Sequence, residues 1–229
     1  RHQAALNIAE WVLMVILMFA KRQHDQIVER HARFWSNEFY NQVELKGKTI
    51  GIVGLGAIGG RAATLCKAFG MEVLATRRSA NRRSYNVGDV DEVMPASELD
   101  DLLTRSDFVA LCVPGTPDTS QLIGERELKL IGPSSYLVNV ARGSVVDEIA
   151  LTRALKDGWI AGAGLDVFAT EPLPQDSELW DLQNVVFGSH KTGDVKGYND
   201  RIADLFTKNV ERYIRGDELL NLVDKKVGY

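Results

Sequence analysis

Short apolar runs alternate with amphipathic stretches along most of the chain. "KTIGIVG" (Lys48 to Gly54) predicts a strand, "AIGGRAATLCKAFG" (Ala57 to Gly70) a helix stopped by glycine, and "MEVLAT" a second strand. Asn81 to Asp89 is turn-rich and has no clear period, so no element is predicted there. "ASELDDLLTRS" predicts a helix with Ser97 as cap, and "DFVALCV" a strand. "PGTPDTS" breaks the chain, "ERELKLI" makes a short helix, and "SYLVNVA" is again a strand. "VDEIALTRALKDG" fits a helix with Asp147 as cap and Gly158 as stop; "WIAGAGLDVF" and "NVVFG" complete the strands.

Near-continuous apolar strands alternating with helices predict an α/β fold, a Rossmann-type, doubly wound parallel sheet covered on both faces. From Lys196 onward, "YNDRIADLFTKNVERYIRG" predicts a long amphipathic helix with no strand after it. The expected division is a dinucleotide-binding domain over 1–195, followed by a C-terminal helix and tail over 196–229 that leave the sheet. "AEWVLMVILMFAKR" is the most apolar stretch, but its uninterrupted run, Trp11 to Ala20, is too short to span a bilayer. With Lys21 and Arg22 after it rather than small residues, it does not read as a signal peptide either. It predicts a buried helix that needs cover on all sides, from the rest of the protein or from a second subunit.

Composition narrows the partners. The 229 residues carry 27 basic and 31 acidic side chains, a net charge of -4, which argues against a general nucleic-acid or anionic-membrane surface. The two cysteines, Cys66 and Cys112, lie in apolar segments and read as buried thiols in a reducing, cytoplasmic compartment rather than as a disulfide framework.

"GIVGLGAIGG" places G-x-G-x-x-G at Gly54, Gly56 and Gly59, after a strand and at the opening of a helix. In that context the glycines serve a tight turn, room for a pyrophosphate, and close helix–strand packing. The helix N-terminus at Ala57, Ile58 and Gly59 offers N–H groups and a positive dipole end to the phosphates. Such a fold usually ends its second strand in an acid that holds the adenosine ribose hydroxyls. Here that position is Arg77, followed by Arg78 and Ser79. Two guanidiniums and a hydroxyl suit a 2′-phosphate, so they predict NADP (NADPH) in preference to NAD. The competing reading is a solvated basic turn that continues into Arg82 and Arg83.

Three charged residues follow apolar strands in the second half: Arg142 in "LVNVARGSVVDE", Glu171 in "LDVFATEPLP" and His190 in "VVFGSHKTG". A guanidinium can hold a 2-oxo-acid carboxylate and polarise its carbonyl, while an imidazolium supplies a proton as hydride arrives. A carboxylate beside the imidazole favours its charged form and keeps it oriented.

The chain resembles the D-isomer-specific 2-hydroxyacid dehydrogenase family. The resemblance is carried by "GIVGLGAIGG", "VPGTPDTSQLIG", "LVNVARGSVVDEIALTRALKDGWIAGAGLDVFATEPLP", "SELWDLQNVVFGSH" and "NLVDKKVGY". It implies the roles just argued for Arg142, Glu171 and His190, and a small 2-oxo or 2-hydroxy acid as substrate. It further implies that Asp166 and the Val140 carbonyl hold the nicotinamide carboxamide, and that Val113, Pro114 and Thr119 line the adenosine side. A homodimer is expected through the Trp11–Ala20 helix and the arm around Trp35. The family commonly has proline before the catalytic histidine and an apolar residue after it, where this chain has Ser189 and Lys191. Members begin with a further domain whose backbone helps hold the substrate carboxylate. Because the chain opens at "RHQAALNIAEW", matching the start of the long helix of the cofactor domain, most of that domain is expected to be missing. A non-enzymatic, NAD(P)-sensing dimeric regulatory module on the same fold, and a purely structural dimerising domain, are the competing readings.

Overall fold

A computed structural model describes residues 4–37, 40–223 and 225. Eight strands form one sheet in the order β3-β4-β2-β1-β5-β6-β7-β8. They are β1 (Thr49–Val53), β2 (Glu72–Arg77), β3 (Ser84–Val87), β4 (Val90–Pro95), β5 (Phe108–Leu111), β6 (Tyr136–Asn139), β7 (Gly162–Leu165) and β8 (Val185–Phe187). Every pairing is parallel except β3 with β4. The chain leaves β1 towards β2 on one side and later returns beside β1 as β5, which opens a crevice between the carboxyl ends of β1 and β5. The predicted Rossmann-type sheet is therefore observed.

Two apolar layers cover the sheet. Helices α1 (Ala5–Ala20) and α3 (Ala57–Ala68) bury Val12, Val15, Ile16, Phe19, Ala62 and Cys66 against one face. On the other lie α4 (Leu99–Thr104), α5 (Glu125–Ile131) and α6 (Glu148–Lys156), with Leu102, Leu103, Leu128, Leu151 and Leu155 in the second layer. At about 1.5–3 kcal/mol for each fully buried large aliphatic side chain, these layers are the main stabilising term. Asp147 caps α6 as predicted, accepting from the N–H groups of Ile149 and Ala150, and Gly158 follows at φ 70°. The approach of α1 is set by glycines on β7: a Cβ at Gly164 would lie 2.4 Å from Val15 Cγ1.

Several expectations need correction. Asn81 to Asp89 contains β3 and the turn of a hairpin; Val87 pairs with Val90 across Gly88-Asp89. All four β3 residues are exposed, so no apolar alternation marks the strand, and the Gly-Asp dipeptide was the available hairpin signal. Ser97 does not cap a helix. It sits inside a 3-10 turn, Ala96–Glu98, that runs into α4 with no side-chain cap bond. A second helix, α2 (Gln23–Ala32), follows α1 without having been predicted; none of its residues is buried, so packing leaves no strong period. Within the single chain α1 leaves Leu6 and Met14 50% and 42% exposed, which accords with cover coming in part from a second subunit. The Trp35 arm exposes Phe34 and Trp35, and its Glu38 and Phe39 lie outside the described residues. The C-terminal helix α7 (Tyr198–Arg215) forms as predicted, yet none of its residues is buried and Phe206, Tyr213 and Ile214 are exposed. Of the motif "NLVDKKVGY", Asp224 and residues 226–229 lie outside the described residues. Among the described residues no helix is long and apolar enough to cross a membrane.

Candidate active site

Parallel strands deliver their carboxyl ends to one edge, and the charged residues singled out in the sequence follow those ends. Gly54 follows β1, Arg77 closes β2, and Val113 lies two residues past β5. Arg142 comes three residues past β6, Asp166 directly follows β7, and His190 comes three past β8.

Each glycine of the loop has a separate physical role. Gly54 has φ +101°, which side-chain-bearing residues rarely adopt, and a Cβ there would lie 2.8 Å from Val113 Cγ1. Gly59 packs the helix on the strand: a Cβ would come 2.3 Å from the Gly54 carbonyl oxygen. Gly56 is different. Its φ is −102° and a Cβ would meet no protein atom within 4 Å, so neither backbone nor packing requires glycine there. Close approach of a phosphate would require it. The N–H groups of Ala57, Ile58 and Gly59 occupy the first turn of α3, where an α-helix leaves its donors unsatisfied. These residues fit a dinucleotide pyrophosphate.

At the end of β2, Arg77, Arg78 and Ser79 are exposed, in a turn closed by the Ala80 N–H donating to the Arg77 carbonyl at 3.0 Å. The basic stretch is not uniformly solvated. Arg83 is drawn away into Glu92, Glu98 and Asp101, and Glu92, only 6% exposed, also takes Arg105 at 2.8 Å. Past β5, the Thr119 hydroxyl donates to the Pro114 carbonyl at 2.7 Å and accepts from the Thr116 N–H at 2.9 Å, which fixes the Val113–Thr119 loop.

The charged trio converges. His190 Nδ1 lies 2.6 Å from Glu171 Oε2, and Glu171 Oε1 accepts from the Phe168 N–H at 3.0 Å. Burial pushes the Glu171 carboxyl up, but the His190 hydrogen bond, the Phe168 N–H and the charges of His190 and Arg142 outweigh it and hold it below the usual value. The carboxylate is therefore ionised at neutral pH. Arg142 is near enough for its charge to act on Glu171, and its Nη1 donates to the Ala141 carbonyl at 2.6 Å. His190 itself sits at φ 55°, a left-handed conformation that costs a non-glycine residue about 1–3 kcal/mol. The His190 N–H is secured on the Asp166 carbonyl at 2.7 Å.

Sequence reasoning missed the residues that shape these loops. Asn139, 1% exposed, accepts from the Ala141 N–H at 3.0 Å and donates to the Arg142 carbonyl at 3.1 Å, bending the chain that carries Arg142. A polar residue inside the apolar run "LVNVA" was the signal for it. Gly143 lets this loop touch the one bearing Glu171. A Cβ there would fall 1.9 Å from the Phe168 carbonyl carbon. Under that second loop Phe168, Phe187 and Trp180 stack, with centroids 5.6 and 5.0 Å apart, and Trp180 Nε1 donates to the Pro174 carbonyl at 2.9 Å. Asp166, 2% exposed, accepts from Thr192 Oγ1 at 2.5 Å, a contact with no signal in the sequence. Cys66 is buried as expected, while Cys112 is half-buried; both are unpaired, and burial pushes both thiols up to about 12.

The family model described as "D-isomer specific 2-hydroxyacid dehydrogenase, NAD binding domain" matches residues 13–192. A glyoxylate reductase of Thermofilum pendens is 39% identical over 224 residues, covering 96% of this chain and 65% of that protein. One from Thermococcus gammatolerans is 44% identical over 186 residues, covering 80% of this chain and 54% of that protein. The chain thus spans between about half and two-thirds of these curated relatives. Among solved structures, the NADPH-dependent glyoxylate/hydroxypyruvate reductase of Sinorhizobium meliloti with NADP and sulfate superposes with TM-score 0.88 at 27% identity. It covers 100% of this chain and 71% of that one. A probable 2-hydroxyacid dehydrogenase from Rhizobium etli, in complex with NADP, HEPES and L(+)-tartaric acid, gives 0.87 at 28% identity, with the same coverage. With its glycine loop, its converging Arg142, Glu171 and His190, and a match over residues 13–192, the chain belongs to the D-isomer-specific 2-hydroxyacid dehydrogenase family.

Proposed function

We propose that this chain is the cofactor-binding and catalytic part of an oxidoreductase that interconverts a small D-2-hydroxy acid and its 2-oxo acid, with NADPH as the preferred reductant. The observation that carries the reading is the His190–Glu171 pair at 2.6 Å, with the Arg142 charge beside it, on the sheet edge that also bears the glycine loop. NADPH supplies the hydride. Arg142 binds the substrate carboxylate and polarises the adjacent carbonyl. His190, protonated and steered by Glu171, gives its proton to the carbonyl oxygen as charge develops there, and recovers it in the reverse direction. The Val140 carbonyl and Asp166 orient the nicotinamide carboxamide, Val113, Pro114 and Thr119 line the adenosine, and the loop at Gly54, Gly56, Ala57, Ile58 and Gly59 takes the pyrophosphate. Helix α7, with Ile202, Phe206, Val210 and Ile214 exposed, belongs with the tail 196–229 to the domain that completes the substrate pocket.

Cofactor choice rests on Arg77, Arg78 and Ser79. A hydrogen bond to a charged group contributes roughly 1.5–3 kcal/mol, so these residues favour the 2′-phosphate well beyond tenfold, less whatever solvent and salt screen away. Arg77→Asp is expected to weaken NADPH binding strongly and to strengthen NADH binding by less, because the ribose pocket is not rebuilt. Dissociation constants by fluorescence at two salt concentrations check this. Equal affinity for NADH and NADPH in the unmutated protein at low salt would remove the selector.

The protein acts as a homodimer through α1 and the Trp35 arm. Leu6, Met14, Phe34 and the 87%-exposed Trp35 are large apolar side chains that a monomer would leave in water. Sedimentation at micromolar concentration is expected to give a dimer, and a clean monomer would refute it.

A further inference from the structure

The Asp166 carboxylate is occupied in a way that the cofactor does not explain. Its Oδ1 accepts from the Lys191 N–H at 3.2 Å, and its Oδ2 accepts from the Thr192 N–H at 3.4 Å and from Thr192 Oγ1 at 2.5 Å. The Asp166 carbonyl takes the His190 N–H at 2.7 Å. One buried residue thus receives donors from three successive positions, beginning with His190 in its left-handed conformation. Gly188 completes the arrangement: it carries no positive φ, yet a Cβ there would sit 2.2 Å from Asp166 Oδ1. The missing side chain is what lets the carboxylate lie under the loop. From the other side, Asn7 Nδ2 on α1 donates to the Thr192 carbonyl at 2.7 Å.

We propose that Asp166, Thr192 and Gly188 form a clamp whose task is to hold His190 in its left-handed conformation, so that Nδ1 stays on Glu171 and the ring's other nitrogen faces the substrate. Thr192 is a positioning residue. It acts on the reaction through the backbone of the general acid. The physical reason is that a strained φ persists only where surrounding contacts over-determine it, and here the donors at 190, 191 and 192 all end on one side chain and its carbonyl. The clamp rests on the reading of His190 as proton donor. It leaves the second acceptor site of Oδ1 to the carboxamide, so the two roles of Asp166 are compatible.

The test uses Thr192→Val, which keeps the shape and deletes the hydroxyl, and Thr192→Ser, which restores it. In the full-length protein, Thr192→Val is expected to lower kcat roughly ten- to a hundredfold, the scale of a misplaced catalytic group, with the KM for the 2-oxo acid within twofold. The downfield proton resonance of the hydrogen-bonded His190 Nδ1–H is expected to disappear in Thr192→Val and to return, with kcat, in Thr192→Ser. Gly188→Ala, which displaces the carboxylate from the opposite side, is expected to reproduce the loss. His190→Ala, measured in parallel, separates the two ideas. If His190→Ala is inactive while Thr192→Val turns over normally and keeps its downfield resonance, the clamp is refuted. Near-normal turnover in His190→Ala would remove the proton-donor reading, and the clamp with it. A loss in Thr192→Val that Thr192→Ser does not restore, or one matched by an equal rise in the KM for the 2-oxo acid, would show a general structural role and overturn the proposal.

Discussion

Replacing His190 with alanine in the full-length protein is expected to lower turnover of a 2-oxo acid by roughly a hundredfold or more, the usual contribution of a placed general acid. NADPH binding should be unaffected, because the glycine loop and the Arg77 turn are carried by other strands, β1 and β2. The loss should appear in kcat and in kcat/KM alike, since proton delivery is made only in the transition state. Arg142→Ala is expected to behave differently and to raise KM as well, because in the proposed role the guanidinium holds the ground-state carboxylate. Steady-state kinetics with varied substrate at saturating NADPH distinguish the two. Near-normal turnover in His190→Ala would show that the pair at 2.6 Å is structural rather than catalytic.

Gly143→Ala is expected to produce the largest loss of stability of any single methyl added to the site. The new Cβ would stand 1.9 Å from the carbonyl carbon and oxygen of Phe168 and 2.4 Å from the Ala169 nitrogen. All three are backbone atoms of the neighbouring loop, so no rotamer relieves the clash and the two loops must part. Overpacking of this kind costs about 3 kcal/mol, and for a chain of this size that corresponds to a drop in Tm of roughly 6–12 °C. Activity should fall further than stability, because the parting loops carry Arg142 on one side and Glu171 on the other. Gly56→Ala supplies the contrast. With no protein atom within 4 Å of its Cβ, it should unfold like the unmutated chain and lose only NADPH affinity. Thermal unfolding and cofactor titration of the two variants, side by side, check both statements. Unchanged Tm in Gly143→Ala, or unchanged affinity in Gly56→Ala, would contradict the corresponding assignment.

The sequence by itself determined six of the eight strands, their parallel direction and the edge at which the chemistry gathers. Those follow from local physics. An apolar run such as "TIGIV" has no polar face to give to water, so it must be buried on both sides, and burial on both sides means helical crossovers and parallel strands. Once the strands are parallel, residues written just after them must meet at one edge, which is why Arg142, Glu171 and His190 could be named from three separate segments. Tertiary structure alone decided the rest. The β3–β4 hairpin has a wholly exposed first strand and is held by backbone pairing that leaves no hydrophobic pattern. The fate of Arg83 depended on acids at Glu92, Glu98 and Asp101, nine or more positions away, so a run of arginines that looks uniform in sequence divides into a structural member and a pair at the β2 terminus. The work of Asp166 was hidden most deeply. A one-letter pattern shows an acid after a strand, whereas its hydrogen bonds run 25 and 26 residues along the chain to Lys191 and Thr192. They exist only because β7 and β8 lie side by side and Gly188 leaves the carboxylate room to turn beneath the histidine.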